Sequence, residues 1–502
     1  MLGDQVGARA ANWARSDWIA LTTVTLVGGI LRLIRVADPP SYVFDEVYYA
    51  KDACWYVNTS SSLCEIDIET TQVHPPLGKW LIAVGVRLFG FDSFGWRISA
   101  VVAGTITIAL LYLLARRILR STLGATIAAG LLAIDLLHFV QSRISMLDIF
   151  VAMFGVAAFL FVVYDRDRLL PALQGAEDEE EVPRRGLIDR PWRLAAGIVA
   201  GAAVASKWSG GFILLGVIIL TIAWEIAARR ADGKGRVLAR LLREEGLSIS
   251  VWLIAVPLIV YGLTFIGRVD GTLLTAPWSH ESWFRALWER HQYMYDFHSG
   301  LTDTHSYQSP AWSWLLLKRP VSYFFNGDGG DYREILATGS PFVWWASTLA
   351  LAYVAYSWVR ERNATGAQGL ILLGFTITYG PWLIPFFARD AIFMFYLLPS
   401  VPFMCLALGW VAARIGRSWE ARAAHALFAA TAIGLFAFYY PLLTKVAISQ
   451  EDWDRRIWVF DNCDPSEATT TSTITTTVGT QVTTQVTESP NTSVPPEGWC
   501  WI

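Results

Sequence analysis

The residues that invite chemistry are few and fall in short clusters. Tyr42-Val43-Phe44-Asp45-Glu46-Val47-Tyr48-Tyr49 places two adjacent carboxylates inside an aromatic stretch. Neighbouring helical residues point about 100° apart, so Asp45 and Glu46 are expected to have separate roles. Burial among Phe44, Tyr48 and Tyr49 would raise a carboxylate's proton affinity, which suits a general base; the bland alternative is an acidic interfacial loop. His74-Pro75-Pro76-Leu77-Gly78-Lys79-Trp80 opens an apolar helix, with prolines suited to a first turn. Lys79 there either meets an anion or snorkels to lipid headgroups. In Gln141-Ser142-Arg143-Ile144-Ser145-Met146-Leu147-Asp148, Arg143 either pairs with Asp148 or takes a phosphate in bidentate fashion. Ser206-Lys207-Trp208, His305-Ser306-Tyr307-Gln308 and Arg389-Asp390 complete the set. A carboxylate pair with Lys79, Arg143, Lys207 and Arg389 suits a reaction in which an anionic phosphate leaves and a neutral nucleophile loses a proton. No metal-ligand spacing is evident, so no obligatory metal is expected.

The elements that must position these residues are set by composition. Hydrophobic residues make up 54% of the 502 and charged residues 17%, against roughly a quarter charged in soluble chains. Apolar runs of about 20 residues span a bilayer as helices. Eleven are expected, near 17–36, 96–115, 122–141, 146–164, 193–209, 211–228, 248–267, 342–359, 366–387, 391–412 and 424–444. The chain reads as an all-α polytopic membrane protein. Arg116, Arg117 and Arg120, then Arg166 and Arg190, Arg229 to Arg243, Arg360 and Arg362, and Arg414 to Arg422 fall in loops on one side. By the positive-inside rule that side is cytoplasmic, which puts the N-terminus inside and the C-terminus outside. The first run is long enough to span and no small-residue cleavage site follows it, so it is expected to be retained. The net charge of -3 gives no support to nucleic acid as a partner.

This divides the chain into a membrane region, 1–444, with external loops at about 37–95 and 268–341, and an external tail, 445–502. The tail is Thr-rich from Thr469 to Pro496 and reads as a disordered stalk; whether it is itself glycosylated stays open. Cys54, Cys64, Cys463 and Cys500 fall on the oxidising side, and proximity pairs them as Cys54–Cys64 and Cys463–Cys500. The acidic run Glu177 to Glu181 reads as a solvated charge run. Asp135, deep in the third span, needs an internal partner.

On these residues the chain resembles the bacterial, actinobacterial-type protein O-mannosyltransferases, which use polyprenol-phosphate-mannose and belong to the GT-C glycosyltransferases. The resemblance runs from about 25 to 460. Phe44-Asp45-Glu46 corresponds to the family's acidic pair, and His74 to Lys79 matches its His-Pro-Pro-Leu-Gly-Lys signature. Ser142-Arg143 through Asp148, Lys207-Trp208, His305 to Trp314 and Arg389 to Pro402 resemble further family elements. Residues 268–341 are too short for the β-trefoil module of the eukaryotic members.

The resemblance implies a GT-C fold in the cell membrane, with the active site on the extracytoplasmic face. It implies transfer of mannose from polyprenyl-phosphate-mannose to Ser or Thr hydroxyls of secreted or membrane proteins, with inversion. Asp45 is then the base, and Glu46 orients acceptor or sugar. Arg143, Lys207 and Arg389, with Asp148, hold the donor phosphate. His74 and Lys79 shape the loop, and His305 and Gln308 lie near the acceptor. The nearest rival is a GT-C enzyme that modifies a glycan or lipid. A transporter is disfavoured because the halves show no internal repeat.

Overall fold

The computed structural model describes residues 13–57, 73–175, 189–231, 233, 235–266, 283–300, 305, 307–327, 330–362, 366–384, 391–416, 418–457, 469–478 and 481–490. All eleven expected segments fall on helices. They are α1 (Arg15–Leu33), α4 (Ser93–Leu119), α5 (Thr122–Ile134) with α6 (Leu136–Gln141), α7 (Asp148–Gly175), α8 (Pro191–Ser206) and α9 (Gly210–Ala231). A seventh runs through α10 (Val237–Ser250), a π-helical turn (Val251–Ala255) and α11 (Val256–Leu263). The rest are α13 (Pro341–Glu361), α14 (Ala367–Tyr379), a 3-10 turn leading into α15 (Val401–Ile415), and α16 (Trp419–Leu443). Among the described residues, eight helices are long and apolar enough to cross a membrane; α5, α8 and α14 are shorter. Among the described residues, four further helices lie outside this set: α2 (Glu46–Val57), α3 (Leu77–Phe89), α12 (Trp283–Gly300) and the short α17 (Gln450–Asp454).

Local chemistry sets the ends. The Asp92 carboxylate accepts from Gly95 N, Ser121 Oγ from Gly124 N and Ser418 Oγ from Ala421 N, each satisfying a donor that a helix start leaves unpaired. Pro191 and Pro341 occupy first turns. Arg116 and Arg117, Arg229 and Arg230, Arg360 and Arg414 sit in last turns, where the helix dipole favours cations. The core is the packing of α7 on α4, α8 and α9, and of α15 on α5, with α15 buried along nearly its whole length.

Two interruptions were not expected. The third span is broken at Asp135, whose extended backbone (ψ 130°) separates α5 from α6. The Asp135 carboxylate caps α6 by accepting from His138 N (2.9 Å) and takes the Trp344 indole N–H (2.7 Å), so Trp344 is its internal partner. Arg32 of α1 covers the carbonyls freed at the end of α5, donating to Ala133 O at 3.0 Å and Leu132 O at 3.5 Å. The second interruption is the π turn, where Val256 N donates to Val251 O, just before Pro257, which has no N–H to give. Gly197 of α8 faces this turn, and Gly201, four residues on, faces Pro257 of α11. A Cβ on Gly197 would stand 1.8 Å from the Trp252 carbonyl oxygen.

The all-α expectation needs one correction. β1 (Val321–Asn326) and β2 (Asp331–Ala337) form an antiparallel hairpin, and β3 (Ile448–Ser449) adds to β2 in the order β1-β2-β3. The Val-Ser-Tyr-Phe-Phe run of β1 is rich in strand-forming residues, a short signal beside the helical runs around it. The Thr-rich segment, expected to be disordered, is a second hairpin of β4 (Thr469–Val478) and β5 (Gln481–Pro490). Runs of β-branched Thr and Val favour extended backbone.

The contact between α8 and the π turn is a direct test of the packing. Gly197→Ala should cost about 1–3 kcal/mol of stability through overpacking, read as a clear drop in Tm of the detergent-solubilised protein. A Tm equal to the parent's would contradict the close approach.

Candidate functional site

Glu46 is fully buried and its carboxylate is saturated. Oε1 accepts from Arg97 Nε (2.8 Å) and Ser145 N (2.9 Å), while Oε2 accepts from Arg97 Nη2 (2.7 Å) and Val43 N (2.9 Å). Arg97 then donates to the carbonyls of Val36 (3.0 Å), Pro39 (2.8 Å) and Ser41 (3.0 Å). One ion pair thus ties the loop after α1 to the start of α4 and to the turn before α7. Four accepted hydrogen bonds leave Glu46 little capacity for a substrate.

Asp45 differs from its neighbour in every respect. It is half-buried, and its carbonyl accepts from Tyr48 N and Tyr49 N at 3.0 Å each, so it sits at the N-terminus of α2. Unpaired amides there favour a negative charge. Phe44, just before it, has a left-handed backbone (φ 50°), uncommon for a bulky residue and found where the surroundings impose it. The surroundings here are aromatic: the Phe44 ring packs on Tyr323 (4.7 Å between centroids), Phe395 (5.8 Å), Phe393 and His305 (6.2 Å each).

Tyr323 connects the two halves of the site. It occupies a β-bulge in β1, where the register slips between Ser322 and Phe324; such bulges re-aim side chains. Its hydroxyl accepts from Gln141 Nε2 at 2.6 Å. Burial, reinforced by the charges of nearby Asp148 and Asp45, pushes its phenol well above the ordinary range. It therefore stays protonated with a hydrogen to donate.

Asp148 opens α7, and both its oxygens accept from Lys207 Nζ at 2.9 Å. Lys207 follows the end of α8 and also lies over the Tyr396 ring at 4.5 Å. Asp148 is thus the partner of Lys207 and not of Arg143. Arg143 reaches back to the end of α1, where Nη1 donates to Arg32 O (2.8 Å), Ile34 O (2.6 Å) and Leu31 O (3.3 Å). Among the described residues every Arg143 hydrogen bond leaves from Nη1.

Lys79 is buried and pairs with Asp52 at 2.6 Å, which ties α3 to α2; it is neither an exposed anion site nor a lysine extended to lipid. The His74 ring stacks on His298 of α12 (4.9 Å) and neighbours Tyr49 (6.0 Å). His305 is exposed beside Phe393 (5.2 Å), and its backbone N donates to Gln308 Oε1 at 3.1 Å. Cys54 is buried and disulfide-bonded. Arg389, Cys64, Cys463 and Cys500 lie outside the described residues. So Asp45, Asp148 and Lys207 gather around Tyr323, His305 borders that group, and Glu46, Lys79 and His74 stand behind it.

Arg97, Tyr323 and Gln141 carry the site and were not singled out from sequence. Arg97 had a signal: a lone arginine at the mouth of a span demands a partner. Tyr323 had none, since a bulge is a property of two paired strands.

Breaking a buried ion pair from one side costs about 3–5 kcal/mol. Glu46→Gln should therefore fall sharply in Tm and yield, and the double variant Glu46→Gln/Arg97→Met should lose less than the sum of the single losses. Additive losses in thermal unfolding would mean that the two are not coupled.

Residues 22–96 and 92–269 match a family model described as dolichyl-phosphate-mannose-protein mannosyltransferase, and 283–461 match the C-terminal four TMM region of protein-O-mannosyltransferase. The polyprenol-phosphate-mannose–protein mannosyltransferase of Mycobacterium tuberculosis is 30% identical over 484 residues, covering 88% of this chain and 91% of that protein. Its Corynebacterium glutamicum counterpart is 28% identical over 441 residues, 79% and 82% of the two chains. The Saccharomyces cerevisiae Pmt1–Pmt2 complex bound to the sugar donor shares the fold at TM-score 0.71 and 16% identity, over 90% of this chain and 93% of that one. ArnT from Cupriavidus metallidurans in the apo state follows at TM-score 0.52 and 16% identity, over 85% and 65%. The fold is that of the GT-C glycosyltransferases. At that identity and coverage, the chain belongs to the protein O-mannosyltransferase family.

Proposed function

We propose that this chain transfers mannose from polyprenyl-phosphate-mannose to serine or threonine hydroxyls of proteins, on the extracytoplasmic face of the cell membrane. The observation that carries the reading is Asp45: a half-buried carboxylate at a helix N-terminus, beside a phenol that burial keeps protonated. The M. tuberculosis and C. glutamicum relatives, whose names state this donor and acceptor class, support it. Orientation is supported by charge. The last-turn arginines Arg116, Arg117, Arg229 and Arg230 stand at helix ends, whereas the site gathers at the opposite ends, where α4 and α7 begin and α8 finishes.

In the proposed step the acceptor hydroxyl oxygen bonds to the anomeric carbon and gives its proton to Asp45. The bond from that carbon to the phosphate oxygen breaks, and polyprenyl phosphate leaves with the electron pair. A single in-line displacement inverts the anomeric centre. The leaving phosphate is acidic enough to depart unprotonated, so one base suffices. Arg143 presents its Nε–Nη2 edge to the phosphate, in the fork geometry suited to that anion, and Lys207 and Arg389 add positive charge. Asp148 holds Lys207 in place. Tyr323 stabilises the ionised form of Asp45. Glu46 is assigned to positioning the loop, and Lys79 and His74 to bracing α2 and α3. His305 and Gln308 border the acceptor's approach. The step draws on no metal.

With polyprenyl-phosphate-mannose and a Thr-containing peptide, purified Asp45→Asn should lose at least about a hundredfold in kcat, the scale of general-base catalysis, with Tm within a few degrees of the parent. Turnover near the parent's would remove Asp45 as the base. Tyr323→Phe removes the phenol dipole proposed to stabilise the ionised carboxylate, so the base's pKa rises and the acidic limb of the kcat/KM profile moves to higher pH. An unmoved limb would free Tyr323 of that role. Chelator treatment should leave the rate unchanged; a loss restored by a divalent cation would contradict the metal-free step.

A further inference from the structure

The Thr-rich hairpin of β4 and β5 has no role in the proposed reaction. β4 and β5 hold ten threonines and two serines in twenty paired residues, with no lysine or arginine and a single acid, Glu488. The strands pair with each other from Thr469↔Pro490 to Val478↔Gln481, and neither joins the β1-β2-β3 sheet. An isolated two-stranded hairpin is marginally stable in water, so its strands open readily into single extended segments. Extended backbone dense in secondary hydroxyls is the acceptor chemistry that the site requires.

The chain ahead of the hairpin is held beside the site as far as Ile457. After α16, Lys445 pairs through Nζ with Asp38 at 2.8 Å, and its backbone N donates to Glu334 O at 3.0 Å. β3 then joins β2. The Trp453 indole donates to Glu334 Oε2 at 2.7 Å, and its ring meets Phe325 of β1 at 6.0 Å. Arg456 Nε donates to Phe438 O at 2.7 Å, and Ile457 is buried. Asp38 belongs to the loop that Arg97 holds, and Phe325 lies two residues along β1 from Tyr323. Adding these steps puts Ile457 within roughly 25 Å of Tyr323. Eleven residues separate Ile457 from Thr469, a length that spans up to about 40 Å.

From this we infer that threonines of 469–490 are acceptors for the active site of the chain that carries them, an inference that rests on the proposed mannosyl transfer. The step is the same: Thr Oγ1 bonds to the anomeric carbon, its proton passes to Asp45, and polyprenyl phosphate departs. The tether changes the kinetics, since short linkers give effective concentrations on the order of millimolar. The tail therefore competes with free acceptors until its hydroxyls are filled.

The full-length protein, expressed in a host that lacks polyprenyl-phosphate-mannose and then purified, is incubated with that donor, and the tail is followed by intact mass and fragment sequencing. Hexose increments on 469–490 are expected in the parent and not in Asp45→Asn. The first-order rate should stay constant over about a hundredfold dilution. A variant with every threonine of 469–490 changed to valine and Ser472 and Ser489 to alanine should take no hexose on that segment yet still glycosylate an added peptide. A parent that modifies the peptide while its tail mass stays unchanged overturns the self-acceptor inference alone. A rate that falls in proportion to dilution overturns transfer within one chain. A parent inactive on the peptide removes the proposed function itself.

Discussion

Everything at the site depends on one buried ion pair. Isolating a carboxylate from water is costly unless it is paired and fully hydrogen-bonded. The Glu46–Arg97 pair meets that demand with two contacts between the partners and two backbone amides. The carbonyls that Arg97 also binds belong to a loop with no regular structure of its own. The pair thus converts a cost into geometry: the loop can fold only one way if both charges are to be satisfied. Asp45, the next residue along the chain, inherits its position from that constraint. Of the two adjacent carboxylates, Glu46 is fully buried and Asp45 half-buried.

The same device recurs at the far ends of the helices. Arg190 and Arg193 bind Asp165, Glu225 and Glu245, and Arg229 joins them through Glu225. These three cations and three anions are all buried or nearly so, and they join α7, α8, α9 and α10 where the apolar surfaces give out. Asp17 is held by Arg116 and Thr122 in the same way, fastening α1 to α4. Between lipid-facing helices the hydrophobic effect offers little preference for one neighbour over another. Saturated charge networks and close glycine contacts, such as Gly197 against Trp252, supply the specificity.

What could be read from sequence follows from which features are local. Membrane helices announce themselves because each satisfies its own backbone within a run of about 20 residues, and the arginines mark one end. Asp45 and Glu46 stood out because charges beside aromatics are rare in such a chain. Partnerships between distant segments were not legible. Lys207 meets Asp148 across 59 positions, and Lys79 of α3 meets Asp52 of α2; only the packed helices decide those pairings. The break at Asp135 was hidden because the residues on both sides are apolar, and the compensation comes from Arg32 and Trp344 on other helices. Tyr323 was invisible for the same reason, since its bulge exists only in the pairing of β1 with β2. The Thr-rich tail misled in the opposite direction: a composition typical of disorder is also one of β-branched residues.

The Lys207–Asp148 pair has a further consequence for turnover. A polyprenyl-phosphate sugar is a phosphodiester with one negative charge, whereas the polyprenyl phosphate left behind is a monoester that takes up a second charge near neutral pH. A pocket lined with cations alone would hold that product more tightly than the substrate. In the proposed pocket the lysine arrives with its own carboxylate, Asp148, bound through both oxygens. The resident negative charge penalises the second charge of the product more than the first charge of the donor. In the proposed reaction that charge weights the pocket toward letting its product go, so that the spent lipid carrier can return to be loaded again.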